Sequence, residues 1–297
     1  MSLLINASID ISSLTVYGTC LAKNLLRWTN AKTNSNRTTP YGTLFNPFSI
    51  ETEIARLFHN KELTYFVDEN GRFHDQCRTW IDFDSANSLV HYNHIFDEQA
   101  KKYLLSASAI VISYGAIESW SNIYMPKNIY NKIPVPIDDV DRDIWLAHLP
   151  DAREIVEAIE NTIILIRINL NNSIPIIFSV CPVKIKFTLS EFSKEYVNHI
   201  TKNLLRNSIK EVVSEQYNCF YFPSYELFCD MNKMGKAVQL DGRHLLPDTL
   251  NEIYNHFLIY TPHADNHIFE KEFWIPYYNE MGNIIGKIYT GNRVELY

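Results

Sequence analysis

The stretch Leu14-Thr-Val-Tyr-Gly-Thr-Cys-Leu-Ala22 changes its period in the middle. Leu14 to Tyr17 form an unbroken β-favouring run, the pattern of a strand covered on both faces, as in a parallel sheet. Gly18 interrupts it, and from Leu21 to Trp28 apolar residues recur at helical spacing. The same succession returns downstream. Apolar runs at 107–114 (followed by Gly115), 174–180 and 219–222 are separated by helical patterns over 97–106, 151–170, 190–215 and 248–258. Alternating strands and helices predict an α/β fold: a three-layer α/β/α sandwich with a central parallel sheet, flavodoxin-like, whose sites lie at the carboxyl ends of the strands. That rule singles out Gly18-Thr19-Cys20, the segment from Gly115 to Trp120, and Cys181-Pro182-Val183.

With 297 residues, the chain suits one main domain with additions. The main body is expected over 1–260, with a hairpin insertion near 63–73 that turns at Asn70-Gly71 as a two-residue loop. Residues 261–297 read as an aromatic-rich β extension, packed against the body or against a second subunit in a homo-oligomer. A formal charge of −7 argues against nucleic acid, whose affinity rests on Lys and Arg displacing counterions. No apolar run reaches membrane-spanning length, and the N-terminus lacks the pattern of a signal peptide. Five cysteines, odd in number and scattered, point to free thiols in a reducing compartment, hence the cytoplasm.

Cys20 falls between the end of a central strand and the start of a helix, where the helix N-terminus favours a thiolate. Gly18 permits the sharp turn, and the amides of Cys20 and Leu21 are placed to hold an oxyanion. A thiol nucleophile needs a histidine to move its proton and a carboxylate to orient that histidine. Asp241-Gly-Arg-His244 supplies both within one loop. Other polar positions have plainer readings. Asn46-Pro47 is turn chemistry or part of the site, Glu118 caps a helix after Gly115 or touches substrate, and Cys181 is a core residue. His91 and His94 have ligand spacing without a matching carboxylate, so no metal is expected.

Gly18-Thr-Cys-Leu-Ala22 resembles the Gly-Ser-Cys-Phe-Ala signature of the GSCFA family, which belongs to the SGNH/GDSL hydrolase clan. Further matches follow in order: Tyr41-Gly-Thr-Leu-Phe-Asn-Pro-Phe-Ser-Ile50 with Glu53-Ile54, Ser113 to Trp120, Val180-Cys-Pro-Val183, Tyr221 to Glu226, and Asp241 to His244. They cover about residues 13 to 258. The resemblance implies an SGNH-like fold with Cys20 in the place of the clan's serine nucleophile and His244 with Asp241 as its base. It implies Gly42 and Asn46 as the second conserved block, and Gly115 as the glycine lending its N–H to the oxyanion hole. Two departures matter. The clan's Gly-x-Asn-Asp block reads Gly115-Ala-Ile-Glu118 here, so its asparagine is missing; either Asn46 or backbone amides substitute, or ester hydrolysis is slow. Thr19 replaces the family's serine and keeps a hydroxyl beside the nucleophile. The implied activity is O-acyl transfer or O-acyl ester hydrolysis on a carbohydrate or sugar precursor. No permanently bound cofactor is expected, and acyl-CoA is a natural donor. The alternative is a protein that binds a glycan or metabolite without turnover.

Overall fold

The computed structural model describes residues 9–59, 64–78, 81–130, 140–170, 173–213, 217–232, 237–260, 274–281, 283–289 and 293–297. In chain order the elements are β1 (Thr15–Gly18), α1 (Cys20–Thr33), α2 (Pro47–His59), β2 (Tyr65–Val67), β3 (Phe73–Asp75), β4 (Asp82–Phe83), α3 (Ala86–Leu105) and β5 (Ile110–Tyr114). Then come β6 (Ser119–Asn122), β7 (Met125–Tyr130), β8 (Trp145–His148), α4 (Ala152–Asn169), β9 (Ile176–Val180), α5 (Lys194–Val212), β10 (Cys219–Phe222), α6 (Ser224–Asn232) and α7 (Pro247–Tyr260). The chain closes with β11 (Trp274–Tyr278), β12 (Ile284–Tyr289) and β13 (Val294–Leu296).

The four apolar runs are the four strands of a parallel sheet, in the order β1-β5-β9-β10. Every residue of these strands is buried. Alternate side chains serve opposite layers: Ile112, Phe178 and Tyr221 pack with Ile159 of α4 and Leu205 of α5. Val111, Ile177 and Phe220 pack with Leu25 of α1 and Ile253 and Phe257 of α7. This is the expected sandwich, built by the two-residue period of strands between amphipathic helices.

Three departures from the sequence reading have physical causes. The helix expected over 97–106 begins at Ala86, where Ser85 caps it through Ser88 N–H; its first turns expose Val90, Tyr92 and Ile95, which blurs the apolar stripe. The hairpin loop is Glu69-Asn70-Gly71 rather than two residues, since Asp68 N–H donates to Arg72 O and Gly71, at φ +75°, closes a turn on Asp68 O. Beyond Gly115 no helix follows. The chain enters the antiparallel sheet β7-β6-β8, anchored by Trp120 and Trp145 against Leu189.

The β1–α1 junction depends on contact at Gly18. Its φ is +116°, and a Cβ there would lie 2.0 Å from the Ser113 carbonyl oxygen at the end of β5. Thr19 N–H donates to that oxygen at 3.1 Å, and Leu44 N–H donates to Gly18 O at 2.9 Å. Gly18→Ala therefore combines an unfavourable backbone angle with a backbone clash, and is expected to cost about 2–5 kcal/mol. Urea unfolding of wild type and variant measures it.

Candidate active site

The end of β1 delivers Cys20 as the first residue of α1. Thr19 precedes it with extended backbone but does not cap the helix; its hydroxyl lies 3.0 Å from that of Ser113. The helix N-terminus is thus left without a side-chain cap beside the thiol. The ends of β5 and β9 arrive alongside. Thr19, Cys20, Gly115, Ala116, Glu118, Cys181 and Val183 line one cavity of about 460 Å³, together with the His244 loop and Tyr278. A second cavity of about 210 Å³ also opens onto Cys20 and His244, and runs along α1 beneath β11 and β12. Cys20 and His244 therefore stand where two cavities meet.

The histidine loop is held by its own hydrogen bonds. Asp241 Oδ1 accepts from Arg243 N–H at 2.9 Å and His244 N–H at 3.0 Å, and Oδ2 accepts from His244 Nδ1 at 2.5 Å. Gly242, at φ +65°, lets the loop turn this tightly. Burial alone would raise the Asp241 pKa, but these bonds outweigh it and hold the carboxyl below the usual range. An ionised carboxylate only accepts, so Nδ1 carries a proton and Nε2 keeps its lone pair. Burial pushes His244 below its ordinary value against the pull of Asp241, aided by Arg243 and Lys186. The resting imidazole is neutral at pH 7, as a base requires.

The thiol of Cys20 is not a resting thiolate, contrary to the helix-terminus argument. A hydrogen bond with Cys181 is the largest cause holding its pKa up, followed by burial. Cys181 is shifted the other way: burial opposes its ionisation, but the bond from Cys20, the Lys202 ammonium and the Thr19 hydroxyl lower its pKa to about 6. Lys202 is 2% exposed and donates to Gly115 O at 2.9 Å and Val183 O at 3.0 Å, joining the ends of β5 and β9. Burial pushes its own pKa down to about 8. Cys181 lies in a strand-end segment that the sequence singles out, though it reads there as a core residue, and Lys202 is absent from the sequence-derived site. The one signal was a lysine within the inward stripe of α5, beside Thr201 and Leu205.

Other expected residues are placed differently. Gly115 N–H donates to Phe45 O at 2.9 Å, so in this arrangement it does not point at an oxyanion. Gly115 is glycine for a packing reason: a Cβ there would meet the Thr19 methyl at 2.6 Å. Asn46 is fully buried, accepts Ser49 N–H at 2.8 Å at the start of α2, and lines neither cavity. It is a helix cap. Gly42, at φ +73°, turns the loop that brings Thr43 to both cavities. Glu118 reaches the larger cavity, but its carboxylate accepts from Trp120 Nε1, Leu189 N–H and the Thr188 hydroxyl, and caps no helix. His91 and His94 are exposed on α3, and among the described residues no group of three or more His, Cys, Asp or Glu is placed to hold a metal ion.

The C-terminal sheet contributes a residue that no motif announced. The Tyr278 ring stacks on the His244 imidazole, centroids 3.7 Å apart and planes within 7°. Gln239 fixes this contact: its Oε1 accepts Tyr278 N–H at 2.9 Å while Nε2 donates to Leu245 O and Pro276 O. Residues 261–273 of the aromatic-rich extension, with Phe269 and Phe273, lie outside the described residues.

Two expectations follow. Tyr278→Ala removes one wall of the imidazole's enclosure, so the His244 pKa should rise toward 6.5, as read by NMR titration of the ring. Cys181→Ala removes the largest cause raising Cys20, so peptide-resolved alkylation of Cys20 should show its pH midpoint moving down.

No helix among the described residues is long and apolar enough to cross a membrane. No curated protein and no solved structure matches the chain. The sequence profile of the GSCFA family matches residues 13–257, which takes in Cys20, Gly115, Asp241 and His244. The chain belongs to the GSCFA family.

Proposed function

We propose that this protein is an SGNH-like acyl-transfer enzyme working through a Cys20 thioester. The observation carrying this reading is the Asp241-oriented, neutral His244 on the cavity wall it shares with Cys20. In the first half-reaction His244 Nε2 takes the Cys20 proton as sulfur attacks the acyl carbonyl. The proton then passes to the leaving group as its bond to the acyl carbon breaks. In the second, an acceptor hydroxyl gives its proton to His244 as it attacks the thioester, and the expelled Cys20 sulfur takes that proton back from His244, restoring the resting thiol and neutral imidazole. Hydrolysis differs only in having water as acceptor. The uncapped α1 N-terminus, with the Cys20 N–H, is the oxyanion donor this geometry favours.

Two cavities meeting at one nucleophile suit two substrates, which favours transfer over hydrolysis. The larger has aromatic walls in Phe45, Trp120 and Phe187, with Trp120 and Phe187 stacked at 5.7 Å. Flat apolar faces beside polar groups suit a sugar ring, so a carbohydrate hydroxyl is the proposed acceptor and a thioester such as acyl-CoA the donor. The engagement of Gly115 N–H and Asn46 elsewhere favours one second reading, binding of such a ligand without turnover.

Incubation with a small acyl thioester should leave one acyl mass on the Cys20 peptide. His244→Ala should slow its formation by about 10²–10⁴-fold. Because the His244 pKa is depressed, the base form persists into mild acid, and the rate should fall only as pH drops below 6.5. Absence of the acyl mass, with ligand still bound, would support the binding reading instead.

A further inference from the structure

Among the described residues the smaller cavity carries positive charge with no acidic counterpart. Cys20, Lys23, Asn24 and Arg27 are spaced three, four and seven residues along α1, so they form one stripe leading away from the sulfur. The sheet of β11 and β12 lies over that stripe, with Ile275, Pro276, Tyr278 and Ile284 in the cavity wall. Among the described residues no Asp or Glu lines this cavity. Among the described residues neither Lys23 nor Arg27 forms an ion pair. Arg27 donates to Asn24 Oδ1 at 3.1 Å and faces the Trp274 ring, which leaves most of its five N–H groups without a protein acceptor.

Such a placement is costly. Burial and mutual repulsion lower the pKa of Lys23, and burial lowers that of Arg27. In a chain of net charge −7, two half-buried neighbouring cations without a carboxylate are a deficit that an anion would relieve. At 1.5 Å per residue, the stripe spans about 4–11 Å from Cys20.

We propose that this cavity is an anion subsite: it holds a carboxylate or phosphate belonging to the ligand that reacts at Cys20, about 4–11 Å along α1 from the sulfur. Two sources share this chemistry, a carboxylate at the far end of the acyl group and a phosphate of the donor. The apolar wall from β11 and β12 would cover the carbon chain between the sulfur and the anion. The inference rests on Cys20 as the nucleophile, and its test separates the two.

Native protein is alkylated with iodoacetate, which is anionic, and with iodoacetamide, its neutral analogue, and Cys20 is followed by mass spectrometry. The iodoacetate-to-iodoacetamide rate ratio at Cys20 should exceed that of free cysteine by about tenfold at low salt, and shrink as salt is added. Lys23→Met with Arg27→Met, which keeps apolar stems, should abolish the excess. Arg243→Met, at the other cavity, should leave most of it. Protection by succinate but not inorganic phosphate assigns the anion to the acyl group, and the reverse assigns it to the donor; either supports the subsite. A normal iodoacetamide rate without iodoacetate preference, or a preference lost only in Arg243→Met, overturns it while leaving the nucleophile standing. If neither reagent modifies Cys20, the nucleophile reading fails. The subsite is then decided by thermal unfolding with succinate or phosphate, where a saturable rise lost in the double variant upholds it and no rise overturns it.

Discussion

The contact of Gly18 with the Ser113 carbonyl is the constraint on which the site depends. Any side chain at position 18 would push β1 away from β5 at their carboxyl ends, where a Cβ would sit 2.0 Å from that oxygen. Because glycine is there, the backbone turns through φ +116° and Thr19 hydrogen-bonds across to β5. Helix α1 then starts directly at Cys20. The same closeness draws the Thr19 hydroxyl to Ser113 rather than to its own helix, leaving the amides of the first turn uncapped beside the thiol. One missing side chain thus determines where the Cys20 thiol stands and leaves the first amides of α1 open beside it.

A second constraint is electrostatic. The ends of β5 and β9 are tied by the Lys202 ammonium, whose bonds to Gly115 O and Val183 O bring a buried positive charge beside Cys181. That charge favours one negative charge in the thiol pair, holding the Cys181 pKa down while the bond to Cys181 pushes Cys20 up. In the proposed acyl transfer, a Cys20 thiol whose pKa is held up calls for the neutral, carboxylate-oriented His244 as its base. An isolated thiolate at a helix terminus would not need such a base. The arrangement explains why an Asp-x-x-His loop stands opposite a cysteine already placed at a helix start.

The parts legible in the sequence were those encoded by neighbouring residues. Four strands buried on both faces announced themselves as unbroken apolar runs, and Asp241 with His244 lie three residues apart. What escaped was encoded by packing between distant segments. Tyr278 meets His244 only because Gln239 pins β11 to the histidine loop. Cys181 looked like core because nothing local told that Lys202, on another element, stands beside it. Glu53 sat within a family-like stretch, yet it is fully buried in ion pairs with Arg56 of the same helix at 2.7 Å and with Arg78 at 2.5 Å, the second tying α2 to the segment after β3. Motif resemblance marked it without distinguishing a structural ion pair from a chemical role.

The family match ends at residue 257, whereas one wall of the smaller cavity comes from Ile275, Pro276, Tyr278 and Ile284. The two portions therefore have separable roles. The matching segment supplies the thiol, the histidine and the aromatic-lined cavity; the C-terminal sheet covers the basic stripe of α1 and stacks on the imidazole. Under the proposed function, changes in β11 and β12 alter which ligand reaches Cys20 while Asp241 and His244 stay in place. They cannot do so independently of the base, because the Tyr278 ring that bounds the cavity also shields His244 from water. Ligand selection and the histidine's proton affinity are in this way joined through one aromatic ring.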